Sequence, residues 1–120
     1  MDTDFAQLTS DKARIAYIRT KLVNNERWML RGMYAIYKYQ TAEEQTCEMT
    51  RDSNGVGFSG IDGEIMTSFS NQMIKRGFLQ KMNHPELGIR MFFSEKQEKY
   101  VRKYMPRYAR QLCKIATGKI

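Results

Sequence analysis

From Ser94 to Ile120 the chain reads SEKQEKYVRKYMPRYARQLCKIATGKI, and its charged and apolar residues sort onto two sides of a single helix. Lys96, Lys99, Lys103, Arg107, Arg110 and Lys114 follow the spacing i, i+3, i+7, i+11, i+14 and i+18. At roughly 100° per residue these six cations share an arc about 80° wide. Val101, Tyr104, Tyr108, Leu112 and Ile115 fall nearly opposite them. A segment built this way must lay one face on a core and turn the other outward. Ser94-Glu-Lys-Gln97 supplies a capping box for its start. Pro106 removes the hydrogen bond to the Arg102 carbonyl and disfavours α geometry at Met105. Two outcomes fit: one kinked helix over about 94–117, or two helices meeting at Met105-Pro106. Both faces stay in phase across the proline, and Met105 is a poor N-cap, so the kinked helix is the expectation.

The rest of the chain also reads as helical. Ser10 is a suitable N-cap for a helix from Asp11 to Val23, where Ile15, Ile18 and Leu22 form an apolar seam and Asn24-Asn25 marks the end. A second helix is expected from Glu26 to about Tyr39. Trp28, Met29, Leu30, Met33, Tyr34, Ile36 and Tyr37 cover a broad arc of it, as in a helix contacted from several sides. Thr41-Ala-Glu-Glu44 has capping-box spacing, which predicts a further short helix. Another helix is expected from about Asp62 to Lys75, with Ile61, Ile65, Phe69 and Met73 as its seam, Met66 beside them, and Gly77 as its C-cap. Residues 78–93, with His84-Pro85 and Gly88, break periodicity and predict either a short β-hairpin or an extended loop. The expected fold is mainly α: a compact single domain over 1–120 with four to five helices.

A chain of 120 residues with 42% hydrophobic content can bury a core without staples. No apolar run approaches the ~20 residues of a membrane span. The acidic start MDTDFAQLTSDK is unlike a signal peptide, so the expected location is the cytoplasm, that of a host cell if the protein is phage-encoded. Cys47 and Cys113 lie far apart and are read as reduced thiols. With His84 as the single histidine, no metal or other cofactor is implied. Charge is unevenly placed. Residues 1–60 are balanced at eight Lys/Arg and eight Asp/Glu, so the whole net charge of +7 lies in residues 61–120. Such asymmetry points to nucleic acid, an acidic protein or an anionic surface, against the plain alternative of a solvated face.

The basic stripe is the leading candidate site. Cations recurring about once per turn suit phosphate contacts, which give affinity without sequence specificity. Arg102 and Tyr100 border the stripe, and Tyr100 could stack on a base or sugar. The loop Asn54-Gly55-Val56-Gly57-Phe58-Ser59-Gly60 lacks P-loop and dinucleotide spacing and reads as a turn anchored by Phe58. The methionines and the tyrosines fall largely at core spacing. Ser59, Ser68 and Ser70 have one distant histidine between them, and Asp62 and Glu64 at i, i+2 face different ways, so no catalytic constellation forms. A metal-dependent nuclease using Asp52, Asp62 and Glu64 is a third reading behind the two below.

The strings NNERWMLRGMYAIYKYQTAEEQ, NGVGFSGIDGEI, SEKQ and MPRYARQL together resemble a family of small proteins of phages and mobile elements, over about residues 24–116. Residues 79–92 are an insertion relative to that pattern. The resemblance brings no established activity. It implies a protein that binds DNA or host factors, or one that blocks a host defence such as a CRISPR effector. The expected function is therefore a non-catalytic nucleic-acid-associated accessory protein, with Lys96, Lys99, Lys103, Arg107, Arg110 and Lys114 on phosphates. The alternative is an inhibitor of a host or defence protein, with residues 79–92 and the exposed aromatics as its contact surface.

Overall fold

The computed structural model describes residues 5, 7–46, 57–58 and 63–118, with 41–46 as backbone only. Helix α1 spans Asp11–Asn24. Ser10 is extended, and its hydroxyl accepts the Ala13 N–H at 3.2 Å, as an N-cap should. Asn25 does two jobs at the corner. Its N–H closes α1 on the Lys21 carbonyl at 2.8 Å, and its side chain accepts the Trp28 N–H at 3.2 Å to open α2.

Helix α2 runs unbroken over Glu26–Thr46, seven residues past the expected stop at Tyr39. The short helix expected at Thr41 does not form separately. No Gly or Pro lies between Tyr39 and Thr46, so the backbone continues and Thr41 has no free N–H groups to cap. As its broad apolar arc predicts, α2 touches α1, the helix that follows it, and the C-terminal segment. Met29, Leu30, Met33 and Ile36 are fully buried along it.

Helix α3 spans Gly63–Lys75. Its buried residues are Met66, Ser70 and Met73, with Phe69 half-buried, while Ile65 faces outward. The seam thus lies one residue round from the expected Ile65-Phe69-Met73 line, and Ile61 falls outside the described residues. Ser70 satisfies itself by donating to the Met66 carbonyl at 2.9 Å. Gly77, with φ of 92°, ends α3 and leads into the single turn α4, Phe78–Lys81.

Of the hairpin or extended loop expected around 78–93, no hairpin forms; among the described residues there is no strand. After α4 come turns and a 3₁₀ turn at Ile89–Met91. Phe78, Leu87, Ile89, Phe92 and Phe93 are all buried. A hairpin would have sent alternate residues to opposite faces, whereas these all enter one core. The carbonyls a strand partner would have taken are held by α2. Arg27 donates to the carbonyls of Met82 at 3.0 Å and His84 at 2.6 Å, and Arg31 donates to the Asn83 side chain at 3.0 Å.

The last stretch is helical throughout, as α5 over Glu95–Tyr104, a 3₁₀ turn over Met105–Tyr108 and α6 over Ala109–Ala116. The proline is absorbed by tightening. Pro106 offers no N–H, and the Ala109 N–H closes on the Pro106 carbonyl three residues back. The segment packs its 3₁₀ turn and α6 along α1. Where α2 crosses it, Gly32 permits the approach. A Cβ at Gly32 would lie 3.0 Å from Leu112 Cδ1, 3.3 Å from Met105 Cε and 3.4 Å from Leu22 Cδ2.

Phe58, the expected anchor of the glycine-rich loop, is buried and meets Tyr108 edge-on at 5.3 Å between centroids. Two glutamines hold the dipeptide. Gln40 accepts the Phe58 N–H at 2.9 Å; Gln111 accepts the Gly57 N–H at 2.9 Å and donates back to the Gly57 carbonyl at 3.1 Å.

Two outcomes follow from this packing. Gly32→Val should destabilise the protein by about 1–3 kcal/mol in urea unfolding, through overpacking against Leu112 and Met105. Gln40→Ala and Gln111→Ala should each cost about 1 kcal/mol and speed amide exchange at Gly57 and Phe58. Their effects should be non-additive in a double-mutant cycle, because both act on one dipeptide.

Candidate polyanion-binding face

The C-terminal segment is fixed at its start by the capping box read from the sequence. The Ser94 hydroxyl accepts the Gln97 N–H at 3.2 Å, and Gln97 Oε1 accepts the Ser94 N–H at 3.0 Å. Gln97 also pairs reciprocally with Gln72 of α3, at 2.9 and 3.2 Å, and Gln72 donates to the Phe92 carbonyl at 2.9 Å. The first turn is therefore tied to α3 and to the aromatic core before any charge is considered.

Lys96, Lys99, Lys103, Arg107, Arg110 and Lys114 are all exposed. The structure brings the six together on the outer side of one helical run of roughly 30 Å at ~1.5 Å per residue. None of them is in a salt bridge among the described residues. The opposite side is buried, but it is wider than the wheel suggests. Val101, Met105, Tyr108, Ala109, Leu112 and Cys113 are buried, while Tyr104 and Ile115 are half-buried. Met105, Ala109 and Cys113 each lie one residue after an expected seam position, which is where α1 packs.

Arg102 does not belong to the stripe. Its guanidinium donates to Glu26 at 2.8 Å and to Glu98 at 2.8 Å, so it is committed to holding α5 against α2. The same pairing draws the Glu98 carboxylate aside. Glu98 has a side chain only 18% exposed and also lies 3.9 Å from Arg90. Glu95 remains exposed in the first turn.

Tyr100, read as a possible stacking residue, is half-buried and already in contact with two rings. It packs edge-on to Phe69 at 5.8 Å and against Tyr104 at 4.4 Å. Tyr104 is the residue that wheel reasoning missed, since its place on the core face hid its edge role. Lys103 Nζ lies 5.3 Å and Arg107 Cζ 5.5 Å from its ring centroid. The sequence signal was there as cations one residue before and three residues after a tyrosine. Such contacts contribute about 0.5–1 kcal/mol each at exposed sites, enough to narrow where the two mid-stripe cations point.

Other candidate chemistry is thinner. His84 is an exposed loop residue whose Nδ1 accepts the Glu86 N–H at 3.0 Å. Glu64 is exposed at the start of α3; Asp52, Asp62, Ser59 and Cys47 lie outside the described residues. Among the described residues no three His, Cys, Asp or Glu side chains converge as metal ligands. No described helix is long and apolar enough to cross a membrane. A cleft of about 300 Å³ lies on the apolar side of the C-terminal segment, between Ile18, Trp28, Gly32 and Leu112, with Arg27 and Arg31 also lining it.

Arg102 and the stripe should part under mutation. Arg102→Gln should lower stability by about 1 kcal/mol, a modest figure because Arg102 and Glu26 are each over a third exposed. Lys99→Gln and Arg110→Gln should each leave stability within ~0.5 kcal/mol. Thermal or urea unfolding checks both.

Comparison with protein-family models, with curated proteins and with solved structures yields no match to this chain.

Proposed function

We propose that this is a non-catalytic, nucleic-acid-associated accessory protein of phage or mobile-element origin, contacting phosphates through Lys96, Lys99, Lys103, Arg107, Arg110 and Lys114. The observation that carries the reading is that these six cations are exposed on one helical run and, among the described residues, outside any salt bridge. A solvated surface would be expected to interleave acids with such a run. Here Glu98, the acid nearest its middle, is withdrawn to Arg102, and Glu95 alone stays exposed at the end. The resemblance to small phage and mobile-element proteins implies binding to DNA or to host factors, which includes this class of partner without singling it out.

A second reading is an inhibitor that docks on a host or defence protein. It is favoured by the turn at 83–86, which is exposed yet held by Arg27 and Arg31, so a protein partner would meet a preformed surface.

Fluorescence anisotropy on labelled duplex DNA across a salt series tests the first reading. Four to six phosphate contacts give a log–log slope of about −3.5 to −5.5. Lys103→Glu combined with Arg107→Glu should weaken binding by more than about tenfold and flatten the slope by about 2. Unchanged affinity and slope in that double variant would overturn the stripe. Stoichiometric, nuclease-insensitive capture of one protein would favour the second reading.

A further inference from the structure

The same face carries a statement about which form of nucleic acid it takes. We infer that the stripe is a duplex-backbone reader and discriminates against single strands, an inference that rests on the phosphate-binding reading above.

Sites that hold single strands combine positive charge with open aromatic faces on which successive bases stack. The aromatic rings beside this stripe are Tyr100 and Tyr104. Tyr100 is taken by Phe69 at 5.8 Å and by Tyr104 at 4.4 Å. Tyr104 is taken by Tyr100 and by the two cations, Lys103 at 5.3 Å and Arg107 at 5.5 Å. A base stacking on Tyr104 would have to displace a guanidinium or an ammonium that is itself meant for phosphate. Charge and stacking therefore compete on this face instead of adding.

What remains is charge alone, and charge alone has a preference. A duplex presents one phosphate per ~1.7 Å of axis, a denser line than a single strand, and each neutralised phosphate releases more condensed counterion: about 0.9 per contact against about 0.7. A run of exposed cations whose neighbouring rings are already engaged gains most from the denser line. It has no means of reading bases, so sequence should not matter. The helical run is also backed along its whole length by core, through Val101, Met105, Tyr108 and Leu112, so it presents a fixed ridge that cannot wrap a flexible strand.

The test varies the ligand, so it does not depend on any variant folding. Full-length protein is titrated by anisotropy, at one low salt concentration, against a labelled 25-base-pair DNA duplex, one of its strands alone, and an abasic sugar–phosphate strand of equal length. The expected result is a duplex bound about tenfold or more tightly than the single strand. Base-bearing and abasic strands should bind equally within about twofold, and a duplex of scrambled sequence should match the first. Overturning results are a single strand bound as tightly as the duplex, or an abasic strand bound at least fivefold more weakly than its base-bearing counterpart. Either would leave phosphate binding standing while removing this inference. No binding to any of the ligands would remove both.

Discussion

One carboxylate, at the first residue of α2, sets how the parts of this molecule meet. Glu26 Oε1 accepts the Ile89 N–H at 2.7 Å, and Glu26 Oε2 accepts from Arg102 at 2.8 Å. A single side chain thus pins the end of the long loop and the last turn of α5 to the N-terminus of the central helix. Its position is favourable in its own right, because a negative charge there complements the helix dipole. The next turn continues the work. Arg27 and Arg31 gather the carbonyls and side chain of 82–85 onto the same end of α2. Bringing the loop to that end lets Leu87, Ile89, Phe92 and Phe93 drop into the core, where Phe92 meets Phe78 edge-on at 5.7 Å.

Amides do for the other end of the molecule what charges do here. Gln40 and Gln111 enclose Gly57-Phe58, Gln40 also reaches Thr67 of α3 at 3.2 Å, and Gln72 pairs with Gln97. Each glutamine can donate and accept at once, so it can match a backbone amide and a side chain without leaving a buried group unmet. Among the described residues no buried side-chain nitrogen or oxygen lacks a partner. These contacts are neutral and join residues 18 to 54 apart in sequence, so they tie α2, α3 and the C-terminal segment together without using the cations outside.

Periodicity made the helices, the Ser10 and Ser94 caps, the central role of α2 and the outward stripe readable in advance. Each depends on neighbours within a few residues along the chain. What stayed hidden depends on residues far apart in sequence. Nothing near Asn83 announces that Arg27 and Arg31 will take its turn, so 78–93 read as hairpin or loop. Nothing near Thr41 tells a capping box from helix interior, since both use the same residues. Arg102 differs from Lys103 by one place on the wheel. Its assignment turned on Glu26, 76 residues away.

That last case generalises to the arginines of this chain. Arg14 donates to the Leu8 carbonyl at 2.8 Å, Arg27 to Met82 and His84, Arg76 to the Phe92 carbonyl at 2.9 Å, and Arg102 to two carboxylates. The planar guanidinium, with several donors in fixed directions, suits carbonyls left open where helices end and loops turn. Four of the six stripe cations are lysines, compact charges on flexible stems that gain little from such fixed geometry. The cations of this chain therefore include two distinct groups: arginines bonded within the fold, and an exposed row along the C-terminal segment. Counting charges along the sequence merges the two. The partners that Arg14, Arg27, Arg76 and Arg102 have already found set them apart from Lys96, Lys99, Lys103, Arg107, Arg110 and Lys114, none of which is in a salt bridge among the described residues.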